Sequence, residues 1–350
     1  VEIIINIASL IFVSILYIVI YYVKKNITKV EKKLPDERKE IIYNLSKINI
    51  YKPMTFDSYI GQNKAKTILK NYILGTKEKN KIFPHTLLSG GSGTGKTTLA
   101  RIIATELDKS LTEIITSEIT DKDNLLTKIK ETKGGILFLD EVHSLQRDLA
   151  ETIYSMMEYF THNGVSIEPF TLIGATTEIG EIIKTRAPFY ERFKIVLDLN
   201  SYSLDDINKI LLDYNINSLK ERGIKYEQIK KISLNSKLNP RRAKRLLEAF
   251  SYFNGDINKM LESFDIINNG LTTKDMRALS ILNTYNILGL QNIASYLGIS
   301  VDNYLYDIEP FLLRSELILR TSRGRKLTDK GKITLTKLKG NVYGSQSKLY

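Results

Sequence analysis

Residues 90–97 read Gly90-Gly91-Ser92-Gly93-Thr94-Gly95-Lys96-Thr97, a complete G-x-x-x-x-G-K-S/T pattern, and Thr98 follows at once. The glycines let backbone N–H groups turn inward around a phosphate chain, where a Cβ would intrude. A helix beginning at the lysine adds the positive end of its dipole. In this pattern Lys96 reaches the β- and γ-phosphate oxygens and Thr97 ligates Mg²⁺. The expected ligands are therefore ATP and Mg²⁺, held by Gly90, Gly91, Ser92, Gly93, Thr94, Gly95, Lys96, Thr97 and Thr98. A second group follows at Ile136-Leu137-Phe138-Leu139-Asp140-Glu141. An apolar run ending in two acids is a buried parallel strand whose C-terminal end meets the ligand crevice. Asp140 is expected to hold Mg²⁺ through water, and Glu141 to polarise the attacking water as general base. Residues 170–175 are another buried run, ending at Thr176-Thr177, where a hydroxyl can contact the γ-phosphate or the lytic water. Downstream, Arg192 and Arg241 can stabilise charge in phosphoryl transfer, including across a subunit boundary.

These groups need a scaffold that brings strand ends together. Residues 86–89, 111–116, 135–139, 170–175 and 194–199 read as strands. Residues 96–107, 122–131 and 144–160 read as helices between them. This alternation predicts an α/β fold with a parallel sheet and helices on both faces. Residues 203–268 show only helical periodicity and predict a small helical lid domain. From residue 272 come three helical patterns, then 317–320, a Ser-Arg-Gly turn and 326–328, the order of a winged helix. The expected organisation is an anchor at 1–23, a linker at 24–50, a nucleotide-binding domain at 51–200, a lid at 201–270, a winged helix at 271–340 and a tail at 341–350.

Composition narrows the partners. The chain has no cysteine, which excludes disulfides, cysteine–zinc sites and thiol nucleophiles. Net charge is +12, which favours a polyanionic partner. Residues 314–339 carry nine basic side chains against two acidic ones. Arg320, Arg323, Arg325 and Lys326 surround the turn at Gly324, and a narrow basic wing fits a DNA minor groove and its phosphates. No aromatic residue interleaves with them near the tip, so base stacking on single strands is disfavoured. Residues 3–23 are nearly all apolar and are followed by Lys24, Lys25, Lys29, Lys32 and Lys33. That pattern predicts one membrane-spanning helix in the inner (cytoplasmic) membrane, with the bulk of the chain in the cytoplasm.

In order along the chain, residues 53–62 (PMTFDSYIGQ), the loop at 90–97, Asp140-Glu141-Val142-His143, residues 170–177 (FTLIGATT), Arg192-Phe193 and Asn239-Pro240-Arg241 resemble the AAA+ family. More narrowly they resemble the RuvB family of Holliday-junction branch-migration motors. Ile308-Glu309-Pro310-Phe311-Leu312 and Arg320-Thr321-Ser322-Arg323-Gly324-Arg325 extend the likeness through residue 335 or so. The resemblance implies that Tyr59 and Ile60 line an adenine pocket and that Thr177, or failing it Thr176, senses the γ-phosphate. It implies that Arg192 is an arginine finger acting in a neighbouring subunit and that Arg241 reports the γ-phosphate to the lid. It also implies a homo-oligomeric ring, a hexamer in the family, working on duplex or branched DNA. Three departures stand out. Residues 160–169 leave room for only a short turn where the family has a long hairpin that docks RuvA, which argues against a RuvA-type partner. Glu178 and Tyr190 stand where the family carries arginines. The alternative reading is a membrane-anchored remodeller of protein or protein–DNA complexes.

Overall fold

The computed structural model describes residues 55–218 and 224–346. The membrane-helix expectation at residues 3–23 and the linker at 24–50 lie outside them. Among the described residues no helix is long and apolar enough to cross a membrane.

The nucleotide-binding part is a parallel sheet of β1 (Thr86–Gly90), β2 (Leu111–Ile115), β3 (Ile136–Asp140), β6 (Thr171–Thr176) and β7 (Ile195–Leu199), in the order β2-β3-β6-β1-β7. The intervening β4 (Thr161–His162) and β5 (Val165–Ser166) form a separate hairpin. Parallel neighbours cannot be joined by tight turns, so the chain crosses over a face between strands. Successive strand residues point to opposite faces. Leu87, Leu137, Leu139 and Leu172 therefore enter one core, and Leu88, Ile136, Phe138 and Ile173 the other. The second core is closed by α1 (Asn63–Glu78) through Leu69 and Ile73, and by α2 (Lys96–Leu107) through Leu99, Ile102 and Ile103. The first is closed by α3 (Lys122–Glu131) and α4 (Arg147–Tyr159) through Leu125, Ile129, Leu149, Ile153 and Met156. Two short helices, α5 (Ile179–Thr185) and α6 (Ala187–Glu191), add Ile182 and Phe189 to it. Edge strand β7 alternates between buried and exposed residues, whereas β6 is buried throughout. The β4–β5 hairpin turns at Asn163-Gly164, both at positive φ, 49° and 78°, as a two-residue hairpin turn requires. The short connection expected over 160–169 is thus a hairpin of minimal length.

Four helices follow: α7 (Leu204–Ser218), α8 (Tyr226–Leu234), α9 (Pro240–Tyr252) and α10 (Ile257–Ser263). Asn239 caps α9 by accepting from the Arg242 N–H, and Pro240 opens its first turn, where no N–H is needed. A small antiparallel pair, β8 (Ile266–Asn268) and β9 (Leu271–Thr272), leads onward. The helical periodicity read over 203–268 did not separate β8 from its surroundings, because three residues carry too short a pattern.

The C-terminal part holds α11 (Thr273–Tyr285), β10 (Ile287–Leu288), α12 (Leu290–Leu297), α13 (Val301–Asn303), a π-helical turn (Tyr304–Ile308), α14 (Glu309–Arg314), β11 (Ile318–Thr321), β12 (Gly324–Leu327) and α15 (Asp329–Gln346). A capping box between Thr272 and Asp275 starts α11. The wing is the β11–β12 hairpin, widened by β10 into a sheet ordered β10-β12-β11. At Gly324 φ is 143°, and a Cβ would run into the Leu288 carbonyl of β10, so only glycine lets the wing close against that strand. A buried pair, Lys237 Nζ to Asp275 at 2.8 Å, ties the loop before α9 to the start of α11.

Candidate nucleotide site and basic wing

Parallel pairing places Ser89 level with Thr176, and Leu139 level with Gly174. The loop after β1, the acids after β3 and the threonines after β6 therefore emerge at one edge of the sheet, where such folds bind ligands.

The loop at 90–97 is held from two sides. Beneath it, the buried Tyr59 and Tyr202 direct their hydroxyls at the Thr94 carbonyl, 3.2 and 3.0 Å away, and lie 3.0 Å from each other. Burial raises both phenol pKa values above the ordinary range. From the lid, Asn239 Nδ2 donates to the Ser92 carbonyl at 2.7 Å, and Arg241 Nη1 donates to Ser92 Oγ at 3.1 Å. Gly95 has φ 98°, and a Cβ there would overlap the Tyr59 hydroxyl. Gly93 has φ 79°, and a Cβ would sit 2.7 Å from Asn239 Oδ1. Glycine is thus required both by the backbone turn and by the packed neighbours.

Lys96 opens α2 and is buried; its ammonium donates to the carbonyls of Gly90 (2.8 Å) and Gly91 (3.3 Å). Burial lowers its pKa, while Glu141 and Asp140 oppose that shift. Thr97 and Thr98 are half-buried in the same first turn. Asp140 is half-buried, and burial followed by the Glu141 charge raises its pKa, against the pull of Lys96 and Arg241. Arg241 is thus close enough to act on both Lys96 and Asp140.

Glu141 sits at φ 53°, an unfavourable region for a residue with a Cβ, held by the turn Val142–Ser144. Its Oε2 accepts from Thr177 Oγ1 at 3.1 Å and from the Thr177 N–H at 3.3 Å, and lies 3.3 Å from His143 Nδ1. Thr176 Oγ1 instead accepts from the Glu178 N–H at 2.9 Å and lies 3.1 Å from His143 Nδ1. Of the two threonines, Thr177 is therefore the one on the carboxylate. His143 escaped attention as a site residue; its place two residues beyond Glu141 was the available signal. Tyr202 offered none, since only the tertiary fold carries it under the loop.

Arg192 is not drawn into this group within its own subunit. Its guanidinium pairs with Glu158 at 2.6 Å and lies over the Tyr154 ring, both on α4. Tyr59 and Ile60 sit side by side before α1, Tyr59 buried with its hydroxyl engaged as above and Ile60 half-buried.

In the wing, the four expected DNA-contacting cations divide. Arg323 and Lys326 are exposed. Arg320 and Arg325 both fork onto Glu309, with Arg320 Nη2–Oε2 at 2.7 Å and Arg325 Nε–Oε1 at 2.6 Å. The Glu309 side chain is 0 % exposed, Arg325 17 % and Arg320 58 %. Burial raises the Glu309 pKa, but hydrogen bonds from Arg325 and Arg320 outweigh it and hold the carboxyl below its ordinary value. Of the four cations expected at DNA, two are engaged within the wing: an isolated buried carboxylate is untenable, and Glu309 pairs with Arg320 and Arg325.

A parallel sheet with a glycine loop after β1 held by Asn239 and Arg241, two acids at the end of β3 and a winged helix define a AAA+ P-loop ATPase. Residues 51–199 match the Holliday junction DNA helicase RuvB P-loop domain, and residues 268–336 match the RuvB C-terminal winged helix domain. The Holliday junction branch migration complex subunit RuvB of Mycoplasma genitalium is 33 % identical over 305 residues, covering 82 % of this chain and 98 % of that protein. The corresponding subunit of Ureaplasma parvum is 35 % identical over 302 residues, covering 80 % and 95 %. The solved structure of the Thermotoga maritima RuvB Holliday junction branch migration motor superposes with a TM-score of 0.72 at 31 % identity, covering 81 % of this chain and 98 % of that one. The chain belongs to the RuvB family.

The membrane localisation expected from residues 3–23 is corrected by these findings. The family match begins at residue 51, relatives are spanned almost end to end without the preceding segment, and no described helix could cross a membrane.

Proposed function

We propose that this chain is the ATP-hydrolysing subunit of a motor that moves Holliday-junction branch points. The observation that carries the chemistry is the placement of Glu141 on Thr177 at the sheet edge shared with Lys96 and Asp140. The residues fit Mg²⁺-ATP: Gly90, Gly93 and Gly95 take positive φ, which lets the loop curl, and a buried ammonium lies near two carboxylates. Lys96 would leave its carbonyl partners for phosphate oxygens, while Thr97 and Asp140 would hold the metal. Mg²⁺ supplies charge neutralisation on the phosphates. Glu141 accepts the proton of the attacking water, and Thr177 fixes the direction in which its carboxylate points. Arg241 and Asn239 carry the state of the loop to α9, so that hydrolysis tilts the lid against the sheet. Tyr59 and Ile60 are assigned to the adenine pocket. Arg192, after leaving Glu158, is assigned to the neighbouring subunit's phosphate, which demands head-to-tail contacts closing into a ring. Arg323 and Lys326 are assigned to DNA phosphates, while Arg320 and Arg325 stay on Glu309.

The test is ATPase and branch-migration activity of the full-length protein on a four-way junction. Wild type should hydrolyse ATP faster with the junction present. Glu141→Gln should still bind nucleotide, yet lose turnover by about 10²–10⁴-fold. Branch migration surviving that substitution would remove the proposed mechanism.

A further inference from the structure

The catalytic carboxylate is connected to the winged helix by a short run of side chains. Glu141 Oε2 lies 3.3 Å from His143 Nδ1. The other ring nitrogen, Nε2, lies 3.6 Å from Glu178 Oε1. The Tyr306 hydroxyl donates to that same Oε1 at 3.0 Å. Tyr306 stands in the π-helical turn Tyr304–Ile308, between α13 and α14, and is 59 % exposed. Single π-turns within helices redirect side chains and recur at functional positions. The His143 backbone is fixed independently, because Arg186 Nη1 donates to its carbonyl at 2.8 Å. What remains free to vary is which ring nitrogen carries the proton.

We propose that Tyr306 is a positioning residue that sets the tautomer of His143, and through it the readiness of Glu141. A neutral imidazole has one N–H and can serve one of two flanking carboxylates, not both. While Tyr306 supplies the donor at Glu178, the ring proton stays on Nδ1, directed at Glu141 and Thr176. Glu141 then has His143 as a donor in addition to Thr177, and the two donors hold its carboxylate in one orientation, turned toward them. When the winged helix shifts and Tyr306 withdraws, Glu178 loses its donor and competes for the ring proton. The proton moves to Nε2, a small side-chain adjustment closes the 3.6 Å gap, and Glu141 is released to act as base. No net charge changes; one proton changes nitrogen by way of solvent. The Tyr306–Glu178 contact joins an exposed hydroxyl to a half-buried carboxylate, so a domain motion breaks it at modest cost. Glu178 is the residue that stands where the family carries arginine. An arginine there could not accept from Tyr306, so this link belongs to this chain.

The inference rests on the ATPase reading, and two measurements separate them. Tyr306→Phe removes only the hydroxyl of an exposed ring. With Mg²⁺-ATP and no DNA, kcat should rise about five-fold, the equivalent of one net hydrogen bond of about 1 kcal/mol. KM for ATP and the kcat at saturating junction DNA should match wild type, so stimulation by DNA shrinks by the same factor. Tyr306→Phe should have no further effect in a Glu178→Gln background. The chain has three histidines, so ¹⁵N-histidine spectra, with His143→Asn for assignment, report the tautomer directly. The His143 proton should move from Nδ1 toward Nε2 in Tyr306→Phe. An unchanged basal kcat together with an unchanged His143 tautomer overturns the proposal. So does weakened DNA binding at unchanged basal kcat, which would make Tyr306 a DNA contact. If wild type lacks ATPase activity the functional reading falls, while the spectra still decide the tautomer.

Discussion

Glu309→Ala should loosen the wing more than any single substitution at its exposed tip. The substitution leaves two guanidiniums without their carboxylate. Breaking a fully buried ion pair costs about 3–5 kcal/mol, whereas an exposed one is worth about 0–1 kcal/mol. Arg325, at 17 % exposure, stands nearer the first case, and Arg320, at 58 %, nearer the second. The cavity left by a buried Glu side chain adds to the loss. A destabilisation of about 2–4 kcal/mol in the winged helix follows. Amide hydrogen exchange across β11 and β12 reads it locally, which matters because unfolding of a multidomain chain is not one transition. Exchange there should speed up by at least about ten-fold while β1, β3 and β6 keep their protection. Arg325→Ala should behave similarly in milder form. Arg323→Ala should leave exchange untouched and weaken only DNA binding. Equal protection in Glu309→Ala and wild type would refute the reasoning. The pH dependence has a definite sign. A carboxyl whose pKa is lowered on folding stabilises fully above its unfolded value. It loses that contribution as pH falls through the lowered folded value, so wing protection should decline on the acid side.

Three more outcomes follow from the geometry. Gly95→Ala should abolish nucleotide binding by fluorescent-ATP titration with the fold intact, because φ 98° and the Tyr59 hydroxyl both oppose a Cβ. Thr177→Val removes the hydroxyl from Glu141 and should lower kcat about ten-fold with little change in ATP affinity, whereas Thr176→Val should do less to kcat. Asp275→Ala strands the buried Lys237 ammonium and should cost about 3–5 kcal/mol, read as a lowered first thermal transition.

The loop at 90–97 and the acids at 140–141 were legible because their chemistry is local: consecutive residues suffice to define them. The strands at 86–90, 136–140 and 171–176 were legible because a strand covered on both faces must be apolar throughout. Preference for Thr177 over Thr176 came from resemblance alone, and the geometry now gives a reason, since the two hydroxyls face different partners. Tyr202 was invisible because it meets the loop across more than a hundred residues of chain. The wing was legible as a hairpin but misleading as a charge map. An acid inside the apolar run 308–312 gave no hint that it would be buried and claim Arg320 and Arg325. The apolar segment at 3–23, with the lysines after it, suggested a membrane span, and neither the family match nor the described fold supports one.

The fork at Glu309 also governs how this protein would respond to ionic strength. Each phosphate neutralised by a free cation releases condensed counterions and steepens the salt exponent by about 0.9. A wing with four available cations and a wing with two therefore differ by about 1.8 in that exponent for every subunit touching DNA. The buried carboxylate acts as an internal counterion, which would leave the proposed grip of the wing on duplex less sensitive to salt than its arginine content suggests.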